Sequence, residues 1–269
     1  MSDDLSDGTR DPRALRVGRA LSDTGLGPVS WIPETGSTND DLLAAASVGA
    51  AHGRVLVADH QTAGRGRRDR RWESAPGDAL MMSVLLVPET GAAGLPVLTT
   101  AVGVAAAEAC VAVGAEGIGL KWPNDLVVGS AGAHRKLAGI LAQSVVSRDR
   151  VAAVVGLGLN VRGERLGVLA SGAVALDDLV ESPDREELLI EILRSLDALL
   201  RLPGAELRER YLALSATVGT AVEVTTDAGT LSGSAVDVTI GGALVVEADG
   251  AVHEVVVGDV VSVRPDPSG

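Results

Sequence analysis

Phenylalanine is absent from this chain, and only three tryptophans and one tyrosine supply aromatic bulk. With 46% hydrophobic residues in 269, a large core is still possible, but Ala, Val, Leu and Ile must fill it. Small side chains let backbones approach closely, so the expected fold packs Ala-rich helices tightly against β-branched strands. The length suits one large domain, or a large and a small one. Trp31, Trp72, Trp122 and Tyr211 become markers, because no aromatic background hides them.

Patterning divides the chain. Residues 1 to about 12 are acidic and polar, read as disordered, and resemble neither a signal nor a transit peptide. "VSWIP" offers a first strand after about 28 residues. In "ETGSTNDDLLAAASVG" Ser37 or Thr38 caps a helix that Gly49 closes. "GRVLVADHQ" and "DALMMSVLLVP" are buried strands, the second stopped by Pro88. Residues 94–114 read as a buried Ala/Val helix. "GIGLKWPNDLVV" and "RKLAGILAQSVV" flank turn chemistry as a hairpin does, and "RVAAVVGLGLNV" adds a strand. "SPDREELLIEILRSLDALLRL" is an amphipathic helix with Ser182 as cap and Pro183 first, and "AELRERYLALSA" is a shorter one. Beyond Val218 four or five short strands in about 50 residues suggest a small SH3-like barrel. The expected organisation is an N-terminal segment over 1–28, partly disordered, an α/β domain over 29–216 and a β domain over 217–265.

Net charge −13 opposes a general nucleic-acid binder, which needs spread Lys and Arg to neutralise phosphates. No charge-free run of about 18 apolar residues is seen, so no membrane span is expected. The single cysteine, Cys110, lies in an apolar helical run and suits a reducing cytoplasm. His52, His60, His134 and His253 are scattered, so no metal cluster is expected. Covalent catalysis is not suggested either, since no Ser/His/Asp or Cys/His pairing stands out.

Against this acidic background "QTAGRGRRDRRW" places five arginines in twelve residues. A solvated loop, a nucleic-acid contact and a mobile clamp over a small anion are all compatible with it. Gly64 and Gly66 are expected to take left-handed backbone and let a ligand come close. Arg65 and Arg67 offer forked donors to phosphate or carboxylate oxygens, and Trp72 a face for a base. "STN" at Ser37–Asn39 caps a helix, and could also hold a polar ring through donors and acceptors. "KWPND" gathers Lys121, Asn124 and Asp125 round a turn. Lys136, entering an apolar strand in "RKLAGIL", either snorkels or presents a cation to an anionic transition state. "GLGLN" ends a strand with two glycines and Asn160, for strand packing or close ligand approach.

Taken in order, "GSTN", "QTAGRGRR", "KWPND", "RKLAGIL" and "GLGLNV" resemble the biotin protein ligase family, from about Ser37 to Val161. The resemblance implies a catalytic domain related to class II aminoacyl-tRNA synthetases, followed by an SH3-like domain. It implies that biotin and ATP give biotinyl-5′-AMP, which then acylates a lysine of a carboxylase carrier domain. Ser37, Thr38, Asn39, Gln61, Gly64, Arg65, Gly66, Arg67 and Lys136 would hold biotin. Arg67, Trp72, Lys121, Asn124 and Asn160 would serve the nucleotide, with Trp72 flanking the adenine and Asn160 reading it. Lys136, Arg65 and Asp125 would carry the chemistry, with magnesium held mainly by the ATP phosphates. Residues from Val161 to about Ala175 would be a second mobile loop.

Asp69 stands where the family pattern has glycine, and is expected to pair with a neighbouring arginine and oppose loop closure. About 28 residues are too few for the DNA-binding winged helix of some members, so no DNA partner is expected. The implied state is a cytoplasmic monomer or weak homodimer. A lipoate or octanoate ligase or transferase of the same superfamily is the nearest alternative, and a nucleic-acid-binding regulator a more distant one.

Overall fold

The computed structural model describes residues 8–68, 70–88, 91–129, 133–147, 150–164, 172–226, 229–256 and 258–262. Helix α1 (Pro12–Ala20) lies in the segment for which the sequence suggested no element. Its local logic is complete: the Asp11 carboxylate accepts from Arg13 N at 2.8 Å, and Pro12 occupies the first turn. Ala14, Val17 and Leu21 are buried at helical spacing. Arg13 anchors the helix, stacking 4.5 Å from the Trp31 ring and donating to Asp59 at 3.0 Å.

The main sheet has seven strands: β1 (Val29–Thr35), β2 (Val55–Gln61), β3 (Ala79–Leu86), β4 (Ile118–Lys121), β5 (Asp125–Val128), β6 (Arg135–Ser147) and β7 (Arg150–Asn160). Their order is β1-β2-β3-β7-β6-β5-β4; the β1–β2 pair is parallel and the others antiparallel, so the sheet is mixed. Helix α2 (Thr38–Ser47) covers one face through Leu42 and Ala46, packed with Leu56, Leu85 and Val154. Helices α3 (Leu95–Ala112) and α4 (Arg185–Leu199) belong to the larger core on the other face, followed by α5 (Gly204–Ala213).

Gly91–Ala112 is long and apolar enough to cross a membrane, contrary to the expectation that no such stretch exists. Its burial explains the composition: ten of the residues in α3 are buried, and Gly103 abuts Ile140 and Leu120. Cys110 is buried there and desolvation pushes its thiol up to about 12, as befits a small core residue. Helix α4 begins two residues later than read. Asp184, not Ser182, caps it by accepting from Glu186 N and Glu187 N, while Ser182 has φ +50° in the preceding turn.

The C-terminal sheet comprises β8 (Ala221–Thr226), β9 (Gly229–Val238), β10 (Leu244–Ala248), β11 (Ala251–Val255) and β12 (Asp259–Ser262), ordered β11-β10-β9-β8-β12 and antiparallel throughout. Several contacts fasten it to the rest of the chain. Trp122 Nε1 donates to Gly242 O at 3.0 Å, and Arg208 pairs with Asp237 while donating to Val238 O at 2.6 Å.

Candidate active site

Side-chain alternation puts Ser83 of β3, Gly156 and Gly158 of β7, and Gly139 and Gln143 of β6 on the α2 side of the sheet. Ser83 pairs across with Gly156, and Gly158 with Gly139. A cavity of about 120 Å³ opens above these glycines.

One end of the cavity is neutral and its polar atoms are already partnered. Ser37 caps α2, and Thr38 and Asn39 follow it into the first turn. Gln61 Oε1 accepts from Thr38 N at 2.8 Å and sits 3.0 Å from the Thr38 hydroxyl. That hydroxyl lies 2.7 Å from Ser83 Oγ, which donates to Asn39 Oδ1 at 2.7 Å. Asn39 Nδ2 donates to Leu141 O and to Gln143 Oε1. Gly156 makes the room: a Cβ there would lie 2.3 Å from Asn39 Oδ1. Ser83 and Gln143 were missed by sequence reasoning. Ser83 had a signal, a lone hydroxyl inside "ALMMSVLL", and it is wholly buried.

The other end is cationic. Arg65, Arg67, Arg70, Arg71 and Lys136 line the cavity, and no carboxylate does so among the described residues. The arginine segment is a short hairpin. Arg65 bridges Arg71, Trp72 N donates to Gly64 O at 3.1 Å, and Gly66 N donates to Arg70 O at 2.6 Å. Gly64 and Gly66 do not take the expected left-handed backbone; Arg68 does, with φ +52°. Gly64 is glycine for lack of room, since a Cβ there would meet Trp72 O at 2.5 Å. Asp69 lies outside the described residues, as does 165–171 of the expected second loop.

Carboxylates outside the cavity hold the arginines. Arg65 pairs with Asp40 at 3.0 Å, both well exposed. Arg67 donates to Asn124 Oδ1, Asp259 Oδ1 and Gly258 O. Burial pushes its guanidinium below the ordinary value, and the Asp259 charge pulls the other way. Asn124 is fixed in turn by donating to Ile140 O at 2.8 Å.

Between the two ends stand Trp72 and Lys136. The indole lies against the paired glycines: a Cβ on Gly158 would come 2.5 Å from Trp72 Cε2, and one on Gly139 3.3 Å from Cζ3. Lys136 Nζ is 5.9 Å from the centroid of the Trp72 ring. It is also 2.7 Å from Asp125 Oδ1, a close ion pair without the alignment of a hydrogen bond. Thus Lys136 stays at the cavity while Asp125 backs it from outside.

Four expected residues do not line the cavity: Gly64 and Asp125, whose contacts are given above, Asn160 and Lys121. Asn160 does not line the cavity: its amide is buried and donates to Val174 O at 3.1 Å and Lys136 O at 3.4 Å. It therefore knots segment 172–174 to β6, where Lys136 N donates to Gly172 O and Val174 N to Lys136 O. Lys121, at the end of β4, faces a small neighbouring recess beside Tyr211 rather than the cavity. Among the described residues no group of three or more His, Cys, Asp or Glu could cage a metal ion.

Residues 31–160 match the model of the biotin/lipoate A/B protein ligase family. The chain is 36% identical over 263 residues to the biotin–[acetyl-CoA-carboxylase] ligase of Mycobacterium tuberculosis, spanning 94% of this chain and 96% of that one. It is 34% identical over 202 residues to the bifunctional ligase/repressor of Escherichia coli, spanning 74% of this chain and 61% of that one. The biotin protein ligase of Aquifex aeolicus, solved with biotin and ATP, superimposes with a TM-score of 0.73 at 26% identity, over 88% of this chain and 99% of that one. With the ordered motifs converging on one cavity and a relative matched nearly end to end, the chain belongs to the biotin protein ligase family.

Proposed function

We propose that the chain is an ATP-dependent biotin ligase, which activates biotin to biotinyl-5′-AMP and transfers the biotinyl group to a lysine of a carboxylase carrier domain. The observation that carries this is the polarity of the cavity: a neutral, hydrogen-bonding end and an end with five cations and no carboxylate among the described residues. A ureido ring with a carboxylate tail suits the first end and a triphosphate the second.

In the first step a biotin carboxylate oxygen attacks the α-phosphorus, and pyrophosphate leaves. Two anions must meet, so fixed positive charge at the junction is the main requirement. Lys136 stands there, held by Asp125, and the arginines neutralise the leaving pyrophosphate. Magnesium would be carried by the ATP phosphates and would screen charge on them. Trp72 presents its face to the adenine. In the second step the carrier amine, placed with the help of Asp125, attacks the acyl carbon, AMP leaves, and the amine proton passes to the departing AMP phosphate. The arginine hairpin folds over the mixed anhydride and keeps water away.

The finer fold reading, a catalytic domain related to class II aminoacyl-tRNA synthetases with an SH3-like domain behind it, belongs to this proposal. So do a cytoplasmic setting, a monomer or weak homodimer, and the lack of a DNA or membrane partner. Incubation with biotin, Mg-ATP and a carrier domain should add one biotinyl mass to the carrier. If only lipoate or octanoate is transferred, the alternative within the superfamily holds. A salt-resistant, sequence-specific shift of duplex DNA would defeat the exclusion of a repressor role.

A further inference from the structure

We infer that Asp259, at the start of β12, is a positioning residue for the arginine hairpin. Its carboxylate holds Arg67 and Arg68 against the C-terminal sheet and gives up Arg67 when an anionic ligand enters, a role that rests on the adenylating activity proposed above. Asp259 Oδ2 accepts from Arg68 Nη1 at 2.7 Å and Oδ1 from Arg67 Nη1 at 3.4 Å, with Arg70 Nη2 at 3.7 Å. The adjacent Gly258 O accepts from Arg67 Nη2 at 3.1 Å. One carboxylate therefore gathers three guanidinium groups across about 190 residues of sequence.

Arg67 is the pivot, because it both lines the cavity and belongs to this cluster. Its side chain is only 18% exposed, so its charge needs a counter-charge close by, and Asp259 is the carboxylate that touches it. A phosphate in the cavity needs the same fork of donors, and two anions sharing one guanidinium repel each other. Ligand entry thus costs the Arg67–Asp259 contact. The exchange is feasible because the incoming phosphate supplies Arg67 with a new counter-charge, while Asp259, 31% exposed, keeps the more exposed Arg68 and Arg70 beside it. While Asp259 holds the hairpin, only part of the population is competent, and apparent ligand affinity falls by that fraction.

Asp259→Asn should therefore lower KM for ATP in adenylate formation by about two- to fivefold, the range of an exposed ion pair, with kcat changed by less than about twofold. Asp259→Glu should restore the wild-type KM. Arg68→Gln leaves the Arg67–Asp259 contact in place, does not line the cavity, and should lower KM less than Asp259→Asn does; the double variant should match Asp259→Asn. At about 1 M salt, where charges are screened beyond about 3 Å, the wild type and Asp259→Asn should converge, which a merely structural role would not produce. An unchanged or raised KM in Asp259→Asn overturns the inference; if that variant does not fold, Asp259→Ser, which also removes the charge, decides in its place. If the wild type forms no adenylate, the proposed activity fails instead. Calorimetric titration of ATP into both proteins then decides the role of Asp259: tighter binding to Asp259→Asn supports it, and equal or weaker binding overturns it.

Discussion

The two ends of the cavity satisfy their polar groups in opposite ways. At the neutral end Thr38, Asn39, Gln61 and Ser83 are partnered by one another and by the β6 backbone, and all but Gln61 are almost wholly buried. At the cationic end Arg65, Arg67 and Arg68 are partnered by carboxylates from elsewhere, Asp40 in α2 and Asp259 in the C-terminal sheet, through pairs that are exposed except at Arg67. Breaking the first network leaves buried atoms unsatisfied, whereas water can replace a partner in the second. A region that must recognise a fixed shape is thus built into the core. The region that must release one anion and take another is held by exchangeable charge.

Lys136, where the two ends meet, should give the largest effect. Lys136→Ala is expected to slow adenylation about 10²-fold or more while the fold survives. A wild-type rate measured by pyrophosphate release would end the idea that the ends cooperate at this atom. Ser83→Ala comes next. It leaves Asn39 Oδ1 and the Thr38 hydroxyl short of a partner and should cost about 1–3 kcal/mol in chemical denaturation, with weaker biotin binding. A neutral result would mean that the neutral end is no more built in than the charged one. Salt sharpens the contrast further: from about 0.1 to 1 M, amide exchange over 65–72 should rise a few-fold while that at 38–39 and 83 stays fixed. Equal responses would erase the distinction.

The sequence made the two ends legible to different depths. Ser37, Thr38 and Asn39 were readable because a cap is a local pattern, Gln61 came only with the family resemblance, and the glycines of "GLGLN" pointed to close approach. Ser83 was hidden because a single hydroxyl in an apolar strand is usually incidental. The α1 helix was overlooked although Asp11 and Pro12 spelt out its start; the acidic stretch before it set the reading. Glycine chemistry misled at 64 and 66: neither takes a positive φ, and at 64 the constraint is Cβ space. At the charged end the arginines were plain, but their partner was not. A competing carboxylate was expected at Asp69, which lies outside the described residues; the structure adds another from Asp259. Pairing across about 190 residues leaves no trace in local pattern. Asn160 likewise looked like a ligand contact because its neighbours are glycines, yet its amide is spent on Lys136 O and Val174 O.

The smallest expected effect tests the comparison most directly. Arg65 lines the cavity and pairs with Asp40 at 3.0 Å, with the two side chains 58% and 39% exposed. Its backbone is held independently, by the bridge to Arg71 and the Gly64–Trp72 hydrogen bond, so the hairpin does not depend on the side chain. Asp40 stays in the first turn of α2 in any case, where its charge favours the helix dipole without a partner. Arg65→Gln should therefore change unfolding free energy by no more than about 0.5 kcal/mol. The same substitution removes one of five cations from the ligand end, so KM for ATP should rise. A loss of stability comparable to that of Ser83→Ala would show that the arginine hairpin is as much a part of the core as the neutral end. An exchangeable grip on the ligand would then have no physical basis.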